Sequence, residues 1–501
     1  MGKFKKSNLP MGTKTTVFRT MVIRVLAISF CVLSYAQGIQ DQNIKWASQY
    51  PGTSANEKID NAIKSAVETQ GNNVIGIGPN GPDENGIWLL DESIKLPSNT
   101  TLILAGAHLK MATGVKALLL ENEDTANGNT DIHIVGWGQA ILDGNASREP
   151  ERTGGAVHFY NVKNLTIKGL QIGATAGWAF TLEKVSNVHV NNLNFFQGNE
   201  HPWQDGIHIV GPANSVVIDN ITGTFGDDVV VVDSAMGRIG QGGAVQGVTI
   251  SNVVATNIWG AAILRTIAAK GKPVEGVYCT NMTFLTKEGG TDAAIKIGWD
   301  GRLKEIDPWE HPLPEEHKNI VIENLYIPHW EGPIVTVQNP VKNLTLKNIS
   351  ARHKGPFFYN LEHTVDGLTI DNCHSTLIGN PPKTMVSNFY RALTANKVYP
   401  LITPYKGDFI NDPPGTIAFD HALVNDLTIT NTTFDFKGVT SSEMYPIAVR
   451  IYKTAIVDGL YLNNVRIKNY STGIQIDKGT SIKNFEYSNI RFSEVAHQIK
   501  K

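Results

Sequence analysis

The chain has 501 residues, with 44 Lys and Arg against 46 Asp and Glu and a formal net charge of −2. The absence of a basic stripe argues against nucleic acid as a partner, because phosphates require one. Three cysteines in a chain of this length form no disulfide framework, so stability has to come from a large core.

At the N-terminus, Lys3, Lys5, Lys6, Lys14, Arg19 and Arg24 precede an apolar stretch from Val25 to Val32, followed by Ser34-Tyr35-Ala36-Gln37. That order predicts a signal peptide over residues 1–36 and a secreted or periplasmic product. The apolar run is shorter than the roughly 20 residues that cross a bilayer, so no membrane span is expected. Cys31 lies within this segment, whereas Cys279 and Cys373 fall where the repeat described below places aliphatic residues, which makes them core thiols.

Ser54-Ala55-Asn56-Glu57 has the form of a capping box, and Ile59, Ala62, Ile63 and Ala66 recur on one face, predicting a short helix that caps one end of the fold. Ile87 to Leu104, with Pro97-Ser98-Asn99 between two apolar runs, reads as short strands. Residues 37–100 are accordingly assigned to an N-terminal cap and first strands, and residues 101–501 to one repetitive domain.

In that domain a single phrase returns. Asn187-Val188-His189-Val190-Asn191-Asn192, Ser215-Val216-Val217-Ile218-Asp219-Asn220, Gly247-Val248-Thr249-Ile250-Ser251-Asn252 and Asn343-Leu344-Thr345-Leu346-Lys347-Asn348 are four of its copies. Each alternates apolar and polar residues with period two, as a strand with one buried face does. Each then places asparagine at the same offset, so Asn192, Asn220, Asn252, Asn281, Asn324, Asn348, Asn372, Asn431, Asn464 and Asn489 are expected to stack as a ladder, since asparagine tolerates the left-handed conformation.

The copies recur mostly every 23 to 33 residues, the length of one turn of a three-sheet solenoid. The fold expected is an all-β, right-handed parallel β-helix. Two longer gaps are expected to hold cleft-forming insertions: one with Trp299, Trp309, His311, Pro314 and His317, the other with a helical stretch near Lys383 to Lys397.

Trp203-Gln204-Asp205-Gly206 and Phe225-Gly226-Asp227-Asp228 bring three aspartates to matching points of consecutive coils, with 22 residues from Asp205 to Asp227. Three like charges in one small site raise at least one pKa, which is what a general acid at neutral pH requires. The alternative reading is that one or more of these aspartates closes a turn by bonding its own backbone.

At these residues the chain resembles glycoside hydrolase family 28, the polygalacturonases and rhamnogalacturonan hydrolases, within the pectin-lyase-like β-helix superfamily. The family's Asn-Thr-Asp-Gly is similar to Trp203-Gln204-Asp205-Gly206, and its Gly-Asp-Asp stands intact as Gly226-Asp227-Asp228. Gly177-Trp178-Ala179-Phe180 also resembles the stretch before the family's first aspartate. The resemblance implies a glycoside hydrolase acting on an acidic, pectin-like polysaccharide. In it Asp227 protonates the leaving oxygen while Asp205 and Asp228 position and deprotonate water, an inverting hydrolysis; no paired metal-ligand spacing of the His or Cys kinds appears, so no metal or cofactor is expected.

The family's Gly-His-Gly is replaced here by Asn257-Ile258-Trp259-Gly260-Ala261-Ala262. Its Arg-Ile-Lys is matched only by Lys296 at the arginine position, within Ile295-Lys296-Ile297-Gly298-Trp299. Arg265 and Lys296, on consecutive coils, form a candidate grip for an anionic sugar; the alternative is two ordinary solvated strand residues. Trp203, Trp259 and Trp299 are candidate sugar platforms or buried corner residues. His201 and His208 flank Asp205, and either is a candidate for the missing family histidine, His208 being assigned to the substrate site. Two rival readings remain: a polysaccharide lyase of the same fold, with Asp205, Asp227 and Asp228 holding calcium and Arg265 or Lys296 as base, and a non-catalytic β-helix serving as an adhesin or carbohydrate-binding module; the enzyme is expected to be a monomer.

Overall fold

The computed structural model describes residues 44–69, 73–147, 155–198, 203–237, 239–257, 261–286, 293–298, 310, 312–361, 363–379, 415–438, 446–452 and 455–500. The expected signal peptide, His201, Trp259, Trp299, Trp309, His311 and the helical stretch near Lys383 to Lys397 lie outside them. Among the described residues no helix is long and apolar enough to cross a membrane.

After a two-residue strand, Lys45–Trp46, and a 3-10 turn, Ala47–Gln49, comes a helix over Ala55–Glu68. Ser54 Oγ accepts the Glu57 N–H at 3.1 Å and Glu57 reaches back to the Ser54 N–H at 3.2 Å, closing the capping box. Its buried face, Ile59, Ala62, Ile63 and Ala66, packs on the end of the core. Asn56, also buried, donates to Glu92 O at 2.9 Å and accepts from Asp91 N at 3.0 Å, which ties the helix to a turn of the first coil.

Regular coils begin at Asn73–Ile77, which pairs in parallel with Thr100–Ala105, while Trp88–Leu90 pairs with His108–Met111 and Ile94–Leu96 with Leu120–Asn122. From there every strand pairing is parallel, each coil lying on the one before, so the chain is a right-handed parallel β-helix with three faces. The recurring phrase supplies the middle face, and its first apolar position stacks in register as Val188, Val216, Val248, Val277, Ile320, Leu344, Leu368, Leu427 and Leu460. All nine are buried in one continuous core, and each is worth roughly 1.5–3 kcal/mol for leaving water. Cys279 and Cys373 sit in that core as thiols.

The ten predicted asparagines all adopt φ between 50° and 55°. That left-handed bend turns the chain from the middle face to the next. Asn220 bonds Asn192 at 3.2 Å, Asn348 bonds Asn324 at 2.9 Å, Asn372 bonds Asn348 at 2.7 Å and Asn464 bonds Asn431 at 2.8 Å. Two rungs divert to neighbouring carboxylates: Asn252 bonds Asp219 at 2.7 Å and Asn431 bonds Asp371 at 2.9 Å. The structure adds a second bend at the start of the same phrase, where Asn187, Ser215, Gly247, Gly276, Asn319, Asn343 and Gly367 also have positive φ. Each phrase is therefore a short straight edge between two corners. Residues Trp46–Lys501 form one unit, and among the described residues its last coil, beginning with Ser481–Ser488, pairs with Ile456–Asn463.

Candidate active site

The third corner region feeds a face made of the short strands Ile207–Val210, Val230–Asp233, Leu264–Ile267, Ile295–Ile297 and Val335–Val337, paired in that order. Residues that enter these strands, or that point outward from them, arrive at the same height once per coil. The register Ile207↔Val230 decides how the aspartates meet: Asp205, two residues before Ile207, matches Asp228, two before Val230. The 22-residue spacing placed Asp205 next to the pair, and the register specifies the match: Asp205 lies beside Asp228, and Asp227 beside Gln204. The Gly206 N–H donates to Asp228 O at 2.9 Å and the Asp227 N–H to Gln204 O at 3.1 Å, which fixes that alignment.

The glycines beside the aspartates serve close approach rather than an unusual φ. A Cβ on Gly206 would come within 2.3 Å of Val229 O and 2.7 Å of the Phe225 ring, and one on Gly226 within 2.7 Å of Gln204 Cβ. Without side chains there, two coils lie close enough for the carboxylates to share one site.

All three aspartates are buried, at 3% (Asp205), 9% (Asp227) and 1% (Asp228) exposure. Their partners differ. Asp205 Oδ2 meets His208 Nε2 in a short contact, and the imidazole stacks on the Trp178 indole with centroids 3.7 Å apart and planes 13° from parallel. Asp228 accepts the Ala262 N–H at 2.8 Å, faces Arg265 Nε at 3.0 Å and has Lys296 Nζ at 4.0 Å. Burial, with the charges of Asp205 and Asp228 beside it, raises the Asp227 pKa well above the usual carboxylate range, more than Arg265 and Lys296 lower it. Of the three, Asp227 is thus the carboxyl whose protonated form its surroundings favour, with Asp205 and Asp228 beside it.

Arg265 and Lys296 are register partners on consecutive strands. They are not solvated strand residues, since Lys296 is 4% exposed and both cations converge on Asp228. Trp203 is half-buried.

Sequence reasoning missed a polar frame beneath the aspartates. Asn257, fully buried, donates to Asp227 O at 2.6 Å and accepts from Ala261 N at 3.0 Å. Gln204 donates to Thr175 O at 2.8 Å, and Gln197 Oε1 accepts both the Thr175 N–H and its hydroxyl at 3.0 Å. The available signal was polar residues where the phrase calls for apolar ones. Glu183, two coils before Asp228 on the same face, faces His158 at 3.4 Å and accepts the N–H groups of Ile239 and Gly240, anchoring the segment after Val230–Asp233.

The profile of the glycosyl hydrolases family 28 matches residues 93–389. An exopolygalacturonase of Arabidopsis thaliana, clone GBGE184, is 25% identical over 185 residues, 37% of this chain and 38% of that protein. A polygalacturonase of Persea americana is 28% identical over 120 residues, 24% of this chain and 25% of that protein. The matched segments thus span well under half the length of either relative. Among solved structures, a double mutant of the tailspike protein of E. coli bacteriophage HK620, in complex with a pentasaccharide, aligns with TM-score 0.50 and 13% identity over 88% of this chain and 77% of that one. A hyperthermoactive exopolygalacturonase from Thermotoga maritima aligns with TM-score 0.44 and 11% identity over 90% and 92%. The first of these shares the β-helix fold. The family profile covers more than half of the chain and takes in all three aspartates, and the chain therefore belongs to the glycosyl hydrolases family 28.

Proposed function

We propose that this protein is a secreted enzyme that hydrolyses glycosidic bonds in an acidic polysaccharide of the galacturonan type, with inversion. The observation that carries the reading is the contrast among three adjoining carboxyl groups: Asp227 is buried beside two others, which raises its pKa, while Asp205 and Asp228 each face a cationic or hydrogen-bonding partner. Asp227 gives its proton to the leaving glycosidic oxygen, and water attacks the anomeric carbon from the opposite side under the control of Asp205 and Asp228. Arg265 and Lys296 face Asp228 and offset its charge, so that this end of the site can admit a sugar carboxylate. The matched relatives, both polygalacturonases by name, favour the same substrate class. Trp203 is the described candidate for stacking against a sugar ring.

The test is product analysis on galacturonan and other uronans, reading new reducing ends and ultraviolet absorbance together. Reducing ends without absorbance, abolished by Asp227→Asn, are the expected result. Absorbing products would show a lyase, and binding without cleavage on every substrate would show a carbohydrate-binding solenoid.

A further inference from the structure

Resting on this reading, we infer that Asn257 is a positioning residue for the general acid: its amide holds the backbone of Asp227 at the place in the coil from which the carboxyl meets the leaving oxygen. The strand Val245–Asn257 pairs with Ala213–Phe225, and the last register pair is Phe225↔Asn257. The ladder thus ends two residues before Asp227, and the two coils are bonded again where the Val229 N–H donates to Ala262 O at 2.9 Å. Asn257 spans the interval. Its Nδ2 donates to Asp227 O at 2.6 Å, its Oδ1 accepts the Ala261 N–H at 3.0 Å, and the residue is fully buried. The next N–H, that of Ala262, donates to Asp228 Oδ1 at 2.8 Å. From the preceding coil, Gln204 O accepts the N–H groups of Gly226 and Asp227, each at 3.1 Å. Asp227 is therefore gripped through its own N–H and C=O from the coils on both sides, and neither bond uses its carboxyl group.

An amide suits this post. It donates and accepts at once without carrying a charge, whereas a carboxylate would only accept and an aliphatic side chain would do neither. An uncharged anchor matters because the proton affinity of Asp227 is set by what surrounds it. Burial, Asp205 from the preceding coil and Asp228 beside it raise the pKa, while Arg265 and Lys296, from the next two coils, lower it. Each of these effects depends on where the Asp227 backbone stands. Asn257 acts on that backbone, so it governs both the aim of the proton donor and its readiness to hold the proton until the leaving oxygen takes it.

The experiment compares wild type, Asn257→Ala and Asn257→Leu, which keeps the branched shape and removes both hydrogen bonds. The substrates are galacturonan and a nitrophenyl galacturonide, whose leaving group needs little help from an acid. Expected on the polysaccharide is a kcat lower by roughly 10- to 100-fold with KM within about twofold. On the aryl glycoside the loss should be less than about threefold. Equal losses on both substrates, or a raised KM with unchanged kcat, would overturn the inference. So would failure of both variants to fold, which would make Asn257 a residue of the fold alone. The basic limb of the pH–rate profile, where the acid loses its proton, should move to lower pH in both variants as Asp227 gains solvent; an unmoved limb would count against the grip. Titration of Asp227 by carbon-13 NMR, which needs no substrate, should give a lower pKa in Asn257→Ala than in wild type, and equal values would refute the proposal even if the polysaccharide were wrongly chosen. Hydrolysis by wild type, lost in Asp227→Asn, separates failure of this inference from failure of the functional reading.

Discussion

Asp227 and Glu183 are both buried acids on one face of the solenoid, and their protons go opposite ways. Burial and two neighbouring carboxylates raise the pKa of Asp227 from the ordinary 3.8. The native state then binds that proton more tightly than the unfolded chain, and stability falls as pH rises from the ordinary value towards the native one. Asp227→Asn should abolish that fall, seen as a flatter dependence of Tm on pH, while lowering kcat by roughly 10²- to 10⁴-fold. For Glu183 burial also opposes ionisation, but His158 and the N–H groups of Ile239 and Gly240 outweigh it and bring its pKa below the ordinary 4.5. Its contribution is present above that value and is lost as pH falls through the native one. Glu183→Gln should therefore cost about 1.5–3 kcal/mol in denaturant melts at pH 7, and less in acid, where wild type is protonated too. The aspartate cluster was legible because carboxylates are out of place in a β-helix phrase. The pairing of His208 with Asp205 was not, because it depends on where the strand entry leaves a side chain three residues on, and Trp178 reaches the imidazole only through the stacking of coils.

At the scale of the coil, the corners are where sequence and structure agree most closely, since few residues accept a φ near 55°. Asn348 both adopts that bend and makes two rungs, to Asn324 at 2.9 Å and from Asn372 at 2.7 Å. Asn348→Gly should keep the bend and lose the rungs, whereas Asn348→Ala loses both; the difference in unfolding free energy between the two variants is expected to be about 1–2 kcal/mol. Gly206→Ala tests the close approach of coils at the site, with an expected loss of about 1–3 kcal/mol as overpacking pushes Val229 and Phe225 aside. The bend at the start of each phrase was harder to read, because Asn, Ser and Gly share that position, and only a repeated positive φ unites them. Which member of the pair Asp205 matches was not legible either: counting residues measures chain length, while hydrogen bonds set the register.

For the whole molecule, the two described ends are unlike. A capped helix covers the first coil, whereas in the last coil Ser481–Ser488, Arg491–Ser493 and His497–Lys500 have neighbours on one side and largely exposed side chains. In a solenoid each coil is stabilised by its neighbours, so hydrogen exchange should be fastest in residues 481–500 and slowest in the coils around Val216 and Val248. Equal protection throughout would show that the stack opens as one unit. The repeat made this architecture legible over most of the chain; how its ends are finished was legible only at the helix, where a capping box marks the start. The parallel register of the site face has a further consequence, which concerns descent. Asp205 and Asp228 come from adjacent coils and Lys296 from two coils beyond Asp228, so their heights differ in whole strand spacings. On the mechanism proposed above, mutation in the connecting loops can change which sugar is admitted, while the spacing of the carboxylate-bearing backbones is fixed by the stack of coils, so that across divergent lineages substrate preference would drift while stereochemistry is inherited.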